Sequence, residues 1–263
     1  MSQSQEGYEY ERKAYKALGK YNLVTGGTAG ASHDRPDITL QVGREKAGVE
    51  LKITPTAAGS LVMQYFDGKW HFGPTENNTE KEFLESMGNR VKILDLMNKQ
   101  WKHPVLQYRG SSKIYVGAKT VQEAYQLDIA KFGARGTNDI RVTVSNKVIS
   151  DYYNSKNCEY LNVGTKGLFL LNREDPLDLN SKLLKIKQPI IPNFSDLRSA
   201  KTEIRVRCQY KSSVGYQFAF TFQFKAMMES PFNIAPLKSG SRSDVDTRRL
   251  QTDSIIAVLT KKT

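Results

Sequence analysis

Cysteine, long apolar runs and targeting signals are scarce in this sequence. Cysteine occurs twice among the 263 residues, at Cys158 and Cys208, without CxxC spacing. This usage makes a zinc site improbable and suits a reducing compartment. No apolar run approaches the ~20 residues of a membrane span, and residues 1–6 lack the basic and apolar regions of a signal peptide. We therefore expect a cytoplasmic protein without a membrane partner.

Positive charge is what the sequence has in excess. The formal net charge is +12, while 39% of residues are hydrophobic and 25% are charged. The chain is long enough to bury the core of one large domain or two small ones. Because no basic amphipathic segment favours a membrane surface, the charge indicates a polyanionic partner, nucleic acid above all. A basic but otherwise ordinary soluble protein is the alternative.

The pattern around residues 35–53 organises the rest of the chain. Residues 35–42 and 49–53 alternate aliphatic with polar side chains, as half-buried strands do. A two-residue type II′ turn at Gly43-Arg44 would join them into a hairpin, and a longer loop nearer Lys46-Ala47 is the alternative. The first register sets Ile38 opposite Val49, Leu40 opposite Ala47 and Asp37 opposite Glu50, with Lys52 beside Glu50. Two carboxylates and an ammonium would then converge on one face.

This trio has the composition of a site that hydrolyses phosphodiesters. Mg²⁺ takes oxygen ligands and keeps several waters, so one or two carboxylates can hold it. The metal polarises a phosphoryl oxygen and activates a bound water. A nearby lysine can orient that water or offset charge in the transition state. The competing interpretation is a surface hairpin with ordinary solvated charges.

Pro36-Asp37 followed by Glu50-Leu51-Lys52 resembles the PD-(D/E)XK nucleases, the restriction-endonuclease-like superfamily. The resemblance covers the first half of the chain. It implies that Asp37 and Glu50 bind Mg²⁺, with Mn²⁺ as a substitute, and that Lys52 assists the attacking water. It also implies an α/β fold in which helices flank a central mixed β-sheet.

The opening helix of many such nucleases offers a further glutamate to the metal. Residues 5–18 have helical periodicity with acidic residues in the first turns. The order Gly7-x-x-Tyr10-Glu11 resembles that helix, which makes Glu11 the implied third metal ligand and catalytic residue. Glu9 is its rival, and a surface glutamate favoured by the helix dipole is the alternative for either.

The predicted elements of residues 1–132 follow the order that the resemblance implies for a nuclease core. After the first helix come a strand at 21–25, the hairpin, and a second hairpin turning at Asp67-Gly68. Thr79 and Glu82 form a capping box that opens a helix to about residue 101. A strand at 113–118 and a helix that Thr120 and Glu123 open with a capping box and that runs to about residue 132 complete the region, which we expect to be the nuclease core.

Residues 133–263 are predicted to form a β-rich region that binds substrate, separate from the core or packed with it. The predicted elements are a short helix at 148–154, strands at 158–163, 167–171, 203–211 and 215–225, and a last apolar run at 255–259. The aromatic ladder of residues 216, 218, 220 and 222 favours a core strand over a base-stacking surface.

Four residues are the candidate contacts to nucleic acid. Arg35 directly precedes the motif, and Gln64 follows the Glu-x-Lys strand where superfamily members often carry a glutamine. Arg205 and Arg207 lie on one face of a predicted strand, opposite its apolar residues. Further cations of this half are Lys211, Lys225, Arg242, Arg248 and Arg249. The glycine-rich stretch 26–32 lacks P-loop order, which leaves ATP binding unsupported, yet it would let a DNA backbone approach closely.

The sequence therefore predicts a Mg²⁺-dependent endonuclease that hydrolyses DNA. A non-catalytic nucleic-acid-binding protein of the same fold is the first alternative. A branched-DNA (Holliday junction) resolvase is the second, since it shares the chemistry and differs in substrate shape. Cutting both strands of a duplex would favour a homodimer.

Overall fold

The computed structural model describes residues 3–29, 35–55, 57–74, 78–133, 138–211, 215–225, 227–235 and 259. Within them the protein is mixed α/β, with six α-helices and several sheets. The chain forms two compact units. One comprises Met1–Thr56, Ser145–Thr202 and Phe224–Thr263, and the other Ala57–Val144 and Glu203–Gln223. No helix in the described part of the chain is both long and apolar enough to cross a membrane.

Helices and strands alternate irregularly along the described part of the chain. In chain order they are α1 (Gln3–Gly19), β1 (Val24–Thr25), β2 (Ile38–Val42), β3 (Glu45–Lys52), β4 (Ala57–Phe66), β5 (Lys69–Phe72), α2 (Asn78–Arg90), α3 (Ile93–Gln100), β6 (Leu106–Arg109), β7 (Ser112–Tyr115), α4 (Val121–Phe132), β8 (Ile140–Val144), α5 (Lys147–Asn154), β9 (Tyr160–Val163), β10 (Gly167–Leu170), α6 (Leu179–Lys185), β11 (Lys201–Lys211) and β12 (Gly215–Lys225). A short 3₁₀ turn, Phe194–Asp196, precedes β11.

The first unit is built on a mixed sheet in the order β1-β2-β3-β9-β10. Strands β2 and β3 are antiparallel, β3 and β9 are parallel, and β9 and β10 are antiparallel. A parallel pair needs a long crossover, because the chain must return to the same end of the sheet. Here the crossover includes the whole of residues 57–144 before α5 leads back into β9.

The register of the β2–β3 hairpin confirms the two-residue turn. Its aligned pairs are Ile38↔Val49, Leu40↔Ala47 and Val42↔Glu45, which leaves Gly43 and Arg44 as the turn. Gly43 has φ 63°, as the first central residue of a type II′ turn requires. The alternative loop centred on Lys46-Ala47 is wrong, since both residues lie within β3.

The core of the first unit lies between α1 and one face of this sheet. Tyr10, Ala14 and Leu18 of α1 are buried in one cluster with Val49 and Leu51 of β3 and with aliphatic residues of β2 and β10. The cluster confirms the predicted amphipathic first helix. Because side chains alternate along a strand, residues 50 and 52 point to the opposite face.

The second unit has its own sheet, in the order β5-β4-β12-β11-β8, and a separate β6–β7 hairpin. The predicted turn at Asp67-Gly68 is confirmed by the pair Phe66↔Lys69. The aromatic side chains of β12 are fully buried, as predicted for a core strand: Tyr216, Phe218, Phe220 and Phe222. Alternate residues of the same strand are also buried, as expected of a strand covered on both faces.

Three predicted elements differ from those observed. The single helix predicted to residue 101 is two helices, α2 and α3, because Lys92 has φ 54° and interrupts the helical backbone. The strand predicted at 21–25 is reduced to two residues. The strand predicted at 113–118 is the second half of the β6–β7 hairpin, whose first strand was not predicted. The capping box at Thr120 and Glu123 is confirmed, since Thr120 Oγ1 accepts the Glu123 N–H at 3.1 Å.

The two units do not follow the predicted division at residue 132. Strand β9, from residues 160–163, pairs with β3 and completes the sheet that carries the motif. Strands β4 and β5 belong instead to the second sheet. The supporting elements of the site thus extend beyond residue 132. The last apolar run lies outside the described residues, except Leu259, which is buried, and Arg242, Arg248 and Arg249 lie outside them as well.

Candidate active site

Asp37, Glu50 and Lys52 lie on the face of the first sheet opposite its α1-packed core. Glu50 and Lys52 alternate with the core residue Leu51 along β3, and Asp37 directly precedes β2. Asp37 Oδ2 accepts a hydrogen bond from the Leu51 N–H at 2.7 Å, which fixes this carboxyl against the strand of Glu50. Asp37 is 7% exposed and Glu50 is 1% exposed. These are buried charges, so the competing interpretation of a solvated surface hairpin is wrong.

Glu50 is held by two lysines, one on each carboxylate oxygen. Lys52 Nζ lies 2.5 Å from Oε1, and Lys156 Nζ lies 3.2 Å from Oε2. Lys156 was not among the residues predicted from the sequence. Its position between a short helix and a strand carries no local signal, and only the pairing of β9 with β3 brings it to Glu50.

The turn from α5 into β9 positions Lys156. The Cys158 N–H donates to Tyr153 O and closes the turn, with Asn157 at φ 57°. The turn is then tied to β3, because the Glu159 N–H donates to Gly48 O at 3.0 Å and the Gly48 N–H donates to Glu159 Oε2 at 2.5 Å. These bonds anchor the turn that carries Lys156 beside the strand of Glu50.

Two tyrosine rings of α5 flank the lysines. Lys156 Nζ lies 5.6 Å from the ring centroid of Tyr152 and 5.5 Å from that of Tyr153. Lys52 Nζ lies 5.8 Å from the Tyr153 ring. The negative face of an aromatic ring attracts a cation, so these rings stabilise both ammonium groups in a site that largely excludes water.

The surroundings of the two carboxyls shift their pKa values in opposite directions. Burial, together with the nearby charge of Glu50, raises the pKa of Asp37 from 3.8 to about 7, against the opposing effect of Lys52 and Lys156. Burial also acts to raise the pKa of Glu50, but the charges of Lys52 and Lys156 outweigh it and lower that pKa. Glu50 is therefore ionised at neutral pH, whereas burial disfavours the ionised form of Asp37.

Lys52 and Cys158 stay in their ordinary protonated forms. Burial acts to lower the pKa of Lys52, but Glu50 and Asp37 raise it on balance, so the side chain remains an ammonium. Cys158 Sγ lies 3.9 Å from Glu50 Oε2. Burial and the charge of Glu50 raise the pKa of this thiol, which keeps it neutral and unreactive.

The donor set fits a hard divalent cation that keeps most of its waters. Asp37 and Glu50 offer carboxylate oxygens on one face, and Asp37 Oδ2 accepts the N–H of Leu51, the residue that follows Glu50, at 2.7 Å. Two carboxylates suffice for Mg²⁺ when waters and substrate phosphate complete its octahedron. Among the described residues, no group of three or more histidine, cysteine, aspartate or glutamate side chains is placed so that it could hold a metal ion.

Glu11 lies on α1. Helix α1 packs on the face of Val49 and Leu51, and Glu11, 8% exposed, follows its buried Tyr10. Glu50 and Lys52 lie on the opposite face of β3 from Val49 and Leu51. A metal-binding role for Glu11 or Glu9 stays a prediction.

Arg35 and Gln64 are found in different surroundings. Arg35 is exposed, with Nη2 3.4 Å from Thr28 O and from Ala29 O, at the end of the glycine-rich stretch. Gln64 lies in β4, opposite His71 in the sheet of the second unit, rather than in the sheet of Glu50. Their contacts with DNA stay predictions, and residues 30–34, including His33, lie outside the described part.

Arg205 belongs to a charge network of the second unit, on the same strand as Arg207. Arg205 Nε pairs with Asp139, and Arg141 bridges Asp139 at 3.2 Å and Glu203 at 2.5 Å. The Arg205 side chain is 15% exposed. Burial, and then the charge of Arg205, lowers the pKa of Arg207. This network favours a structural role for Arg205, and the DNA contacts of both arginines stay predictions.

Comparisons of the chain with protein-family models, with curated proteins and with solved structures found no match. The assignment of a function therefore rests on the residues of the site themselves.

Replacing Gly48 by alanine is expected to destabilise the site. A Cβ at Gly48 would lie 2.0 Å from Asn157 O and 2.4 Å from Pro36 Cγ, so either the Lys156 turn or the Asp37 segment must shift. We expect Gly48→Ala to lower the free energy of unfolding by about 3 kcal/mol, the scale of severe overpacking. Urea denaturation measures the change.

Gly7→Ala is the matched control, since a Cβ at this α1 position meets nothing within 4 Å. Alanine in a helix should be neutral or stabilising there. Equal stability of the Gly48→Ala and Gly7→Ala variants would contradict the close packing of the turn on β3.

Proposed function

We propose that this protein is a Mg²⁺-dependent nuclease that hydrolyses DNA phosphodiester bonds, of the restriction-endonuclease-like class. The observation that carries the proposal is the convergence of Asp37, Glu50 and Lys52 on one sheet face, in the register that the motif requires. In this proposal the β1-β2-β3-β9-β10 sheet is the nuclease core, and the β-rich remainder contributes to substrate binding.

Asp37 and Glu50 would hold the cation through their carboxylate oxygens, with Mn²⁺ as a substitute for Mg²⁺. When bound, the metal supplies a Lewis acid that polarises the phosphoryl oxygen and lowers the pKa of a water. Lys52 is fixed by Glu50 at 2.5 Å, and its pKa is raised. It therefore acts as a hydrogen-bond donor and positive charge that orients the water and stabilises the phosphorane-like transition state, rather than as a general base.

The proposed substrate is DNA, because the formal net charge of +12 favours a polyanion. Cleavage within the chain of a duplex, rather than from its ends, is the proposed mode. A branched junction would be cut by the same residues, and two copies of the chain would be needed to cut both strands together.

One observation favours a second candidate, a nucleic-acid-binding protein without catalysis. Both oxygens of Glu50 already have lysine partners, so the charge of this carboxylate is balanced without a metal ion. Buried ion clusters of this kind also occur as purely structural features. Under this alternative the protein binds DNA, and its DNA affinity does not depend on divalent metal.

A single set of incubations separates the candidates. The protein is mixed with closed-circular duplex, linear duplex, single strands or a four-way junction, in Mg²⁺, Mn²⁺ or EDTA. We expect nicking or linearisation of the circle with either metal and none in EDTA. Glu45→Gln, which removes an exposed carboxylate from the same strand, should cleave normally. Binding without cleavage of any substrate would support the non-catalytic alternative instead.

A further inference from the structure

Lys156 is a site residue to which the proposed function assigns no task. It is 6% exposed, and its ammonium lies 3.2 Å from Glu50 Oε2. Lys52 already provides the lysine that the proposed chemistry needs. Burying a second lysine costs free energy, because the ammonium loses much of its hydration in the site, and only its pairing with Glu50 and the aromatic rings offsets this cost.

The two lysines hold Glu50 unequally. Lys52 Nζ is 2.5 Å from Oε1, whereas Lys156 Nζ is 3.2 Å from Oε2. The longer contact is the weaker one, so another cation displaces Lys156 from Oε2 more readily than it displaces Lys52 from Oε1. Lys156 also has alternative partners, since the rings of Tyr152 and Tyr153 lie 5.6 and 5.5 Å from its ammonium. The ammonium can therefore leave Oε2 without losing all its stabilising contacts.

The charges of the site also oppose the binding of a metal ion. With both carboxyls ionised, Asp37 and Glu50 carry two negative charges and Lys52 and Lys156 two positive ones. These four charges sum to zero, so the site as a whole does not attract a divalent cation, and each ammonium repels it. Removing one ammonium would leave a net negative charge and a carboxylate oxygen open to the metal.

We propose that Lys156 is a positioning residue that occupies Glu50 Oε2 when no metal is bound and competes with the divalent cation for that oxygen. The inference rests on the proposed function, because it assumes that Glu50 is a metal ligand. Lys156 keeps the carboxylate ionised and oriented in the metal-free protein, and it limits metal affinity. Metal binding then requires this lysine to release Oε2.

The test is a measurement of metal affinity without DNA. Lys156→Met keeps the length of the side chain and removes its charge. We expect it to bind Mn²⁺ about tenfold more tightly than the wild type, the scale on which neighbours of a ligand change metal affinity. Electron paramagnetic resonance of free Mn²⁺ gives the dissociation constant, with Lys156→Gln as a second variant.

Lys147→Met is the matched control, because Lys147 lies on α5 and pairs with a carboxylate outside the site. Its affinity for Mn²⁺ should equal that of the wild type. A merely structural role of Lys156 predicts weaker binding in its variants, so an unchanged or weaker affinity overturns the inference, as does failure of both variants to fold in saturating Mn²⁺. Absence of Mn²⁺ binding by the wild type would overturn the proposed function as well.

Discussion

Asp37→Asn is expected to abolish Mg²⁺-dependent cleavage and, in the same molecule, to increase stability at pH 8. Loss of a metal ligand should reduce the cleavage rate by about 10³-fold or more, since the bound metal supplies several kcal/mol to the transition state. The fold should persist, because the asparagine oxygen can still accept the Leu51 N–H that Asp37 now accepts at 2.7 Å.

The gain in stability follows from the raised pKa of Asp37. In the folded protein this pKa is about 7, against 3.8 for the ordinary group. Between these values the folded state binds more protons than the unfolded state, so stability falls as pH rises. Above pH 7 the full cost of the buried charge is present, on the order of 4 kcal/mol at 1.36 kcal/mol per pKa unit. Asparagine removes this cost at pH 8 and changes little at pH 4.

Thermal unfolding in EDTA at pH 4, 6 and 8 measures this difference. The advantage of Asp37→Asn over the wild type should grow with pH across this range. Glu45→Gln, on an exposed position of the same hairpin, should show no such trend. Adding Mg²⁺ should stabilise the wild type but not Asp37→Asn, since only the former binds the ion. Full cleavage activity in Asp37→Asn would refute the metal site.

Glu50→Gln is expected to have the opposite effect on stability. It should also abolish cleavage, but it leaves two ammonium groups without their carboxylate. The side chain of Lys156 is 8% exposed and that of Lys52 is 21% exposed, so water compensates only partly. Breaking a buried ion pair by removing one partner costs about 3–5 kcal/mol, and we expect a loss of that size at pH 7.

The contribution of Glu50 to stability also changes with pH in the opposite direction to that of Asp37. The lysines lower the pKa of Glu50, so the folded state binds fewer protons than the unfolded state around the ordinary pKa of 4.5. The stabilisation is present above pH 4.5 and is lost as pH falls through the lowered pKa. Glu50→Gln should therefore differ most from the wild type near neutral pH and converge with it in acid.

Urea denaturation of single and double variants tests the origin of the loss. If unpaired lysines cause it, Glu50→Gln combined with Lys156→Met should be more stable than Glu50→Gln alone. Glu45→Gln again supplies the control for removing a carboxylate from β3. A stability of Glu50→Gln equal to that of the wild type would show that the ion cluster does not stabilise the protein.

The ionised forms of Asp37 and Glu50 have opposite effects on the stability of the protein. The charge of Asp37 destabilises the folded state, whereas the charge of Glu50 stabilises it. A structural ion cluster needs no carboxyl whose charge is disfavoured by burial. Asp37 is such a group, and ionisable residues with strongly perturbed pKa values cluster at functional sites. This contrast is what favours the catalytic proposal over the structural alternative.

The local structure of the motif was determined by the sequence alone. Alternation of apolar and polar residues predicts both strands of the hairpin, and Gly43 predicts where it turns, because few other residues accept a positive φ. The register then brings Asp37, Glu50 and Lys52 to one face, as the structure shows. The same local rules predicted the aromatic core strand β12 and the cap of α4.

Only the tertiary structure decided which distant segments meet at the site. Lys156 lies 106 residues from Glu50, and it arrives through the parallel pairing of β3 with β9, which no periodicity encodes. The same pairing assigns β9 and β10 to the sheet of the motif, whereas β4 and Gln64 join another sheet. Side-chain alternation fixes the faces of a strand, but its partner depends on the crossover connection and on the packing of the whole unit. The ionisation of Asp37 follows from the same packing, because burial is a property of the assembled fold.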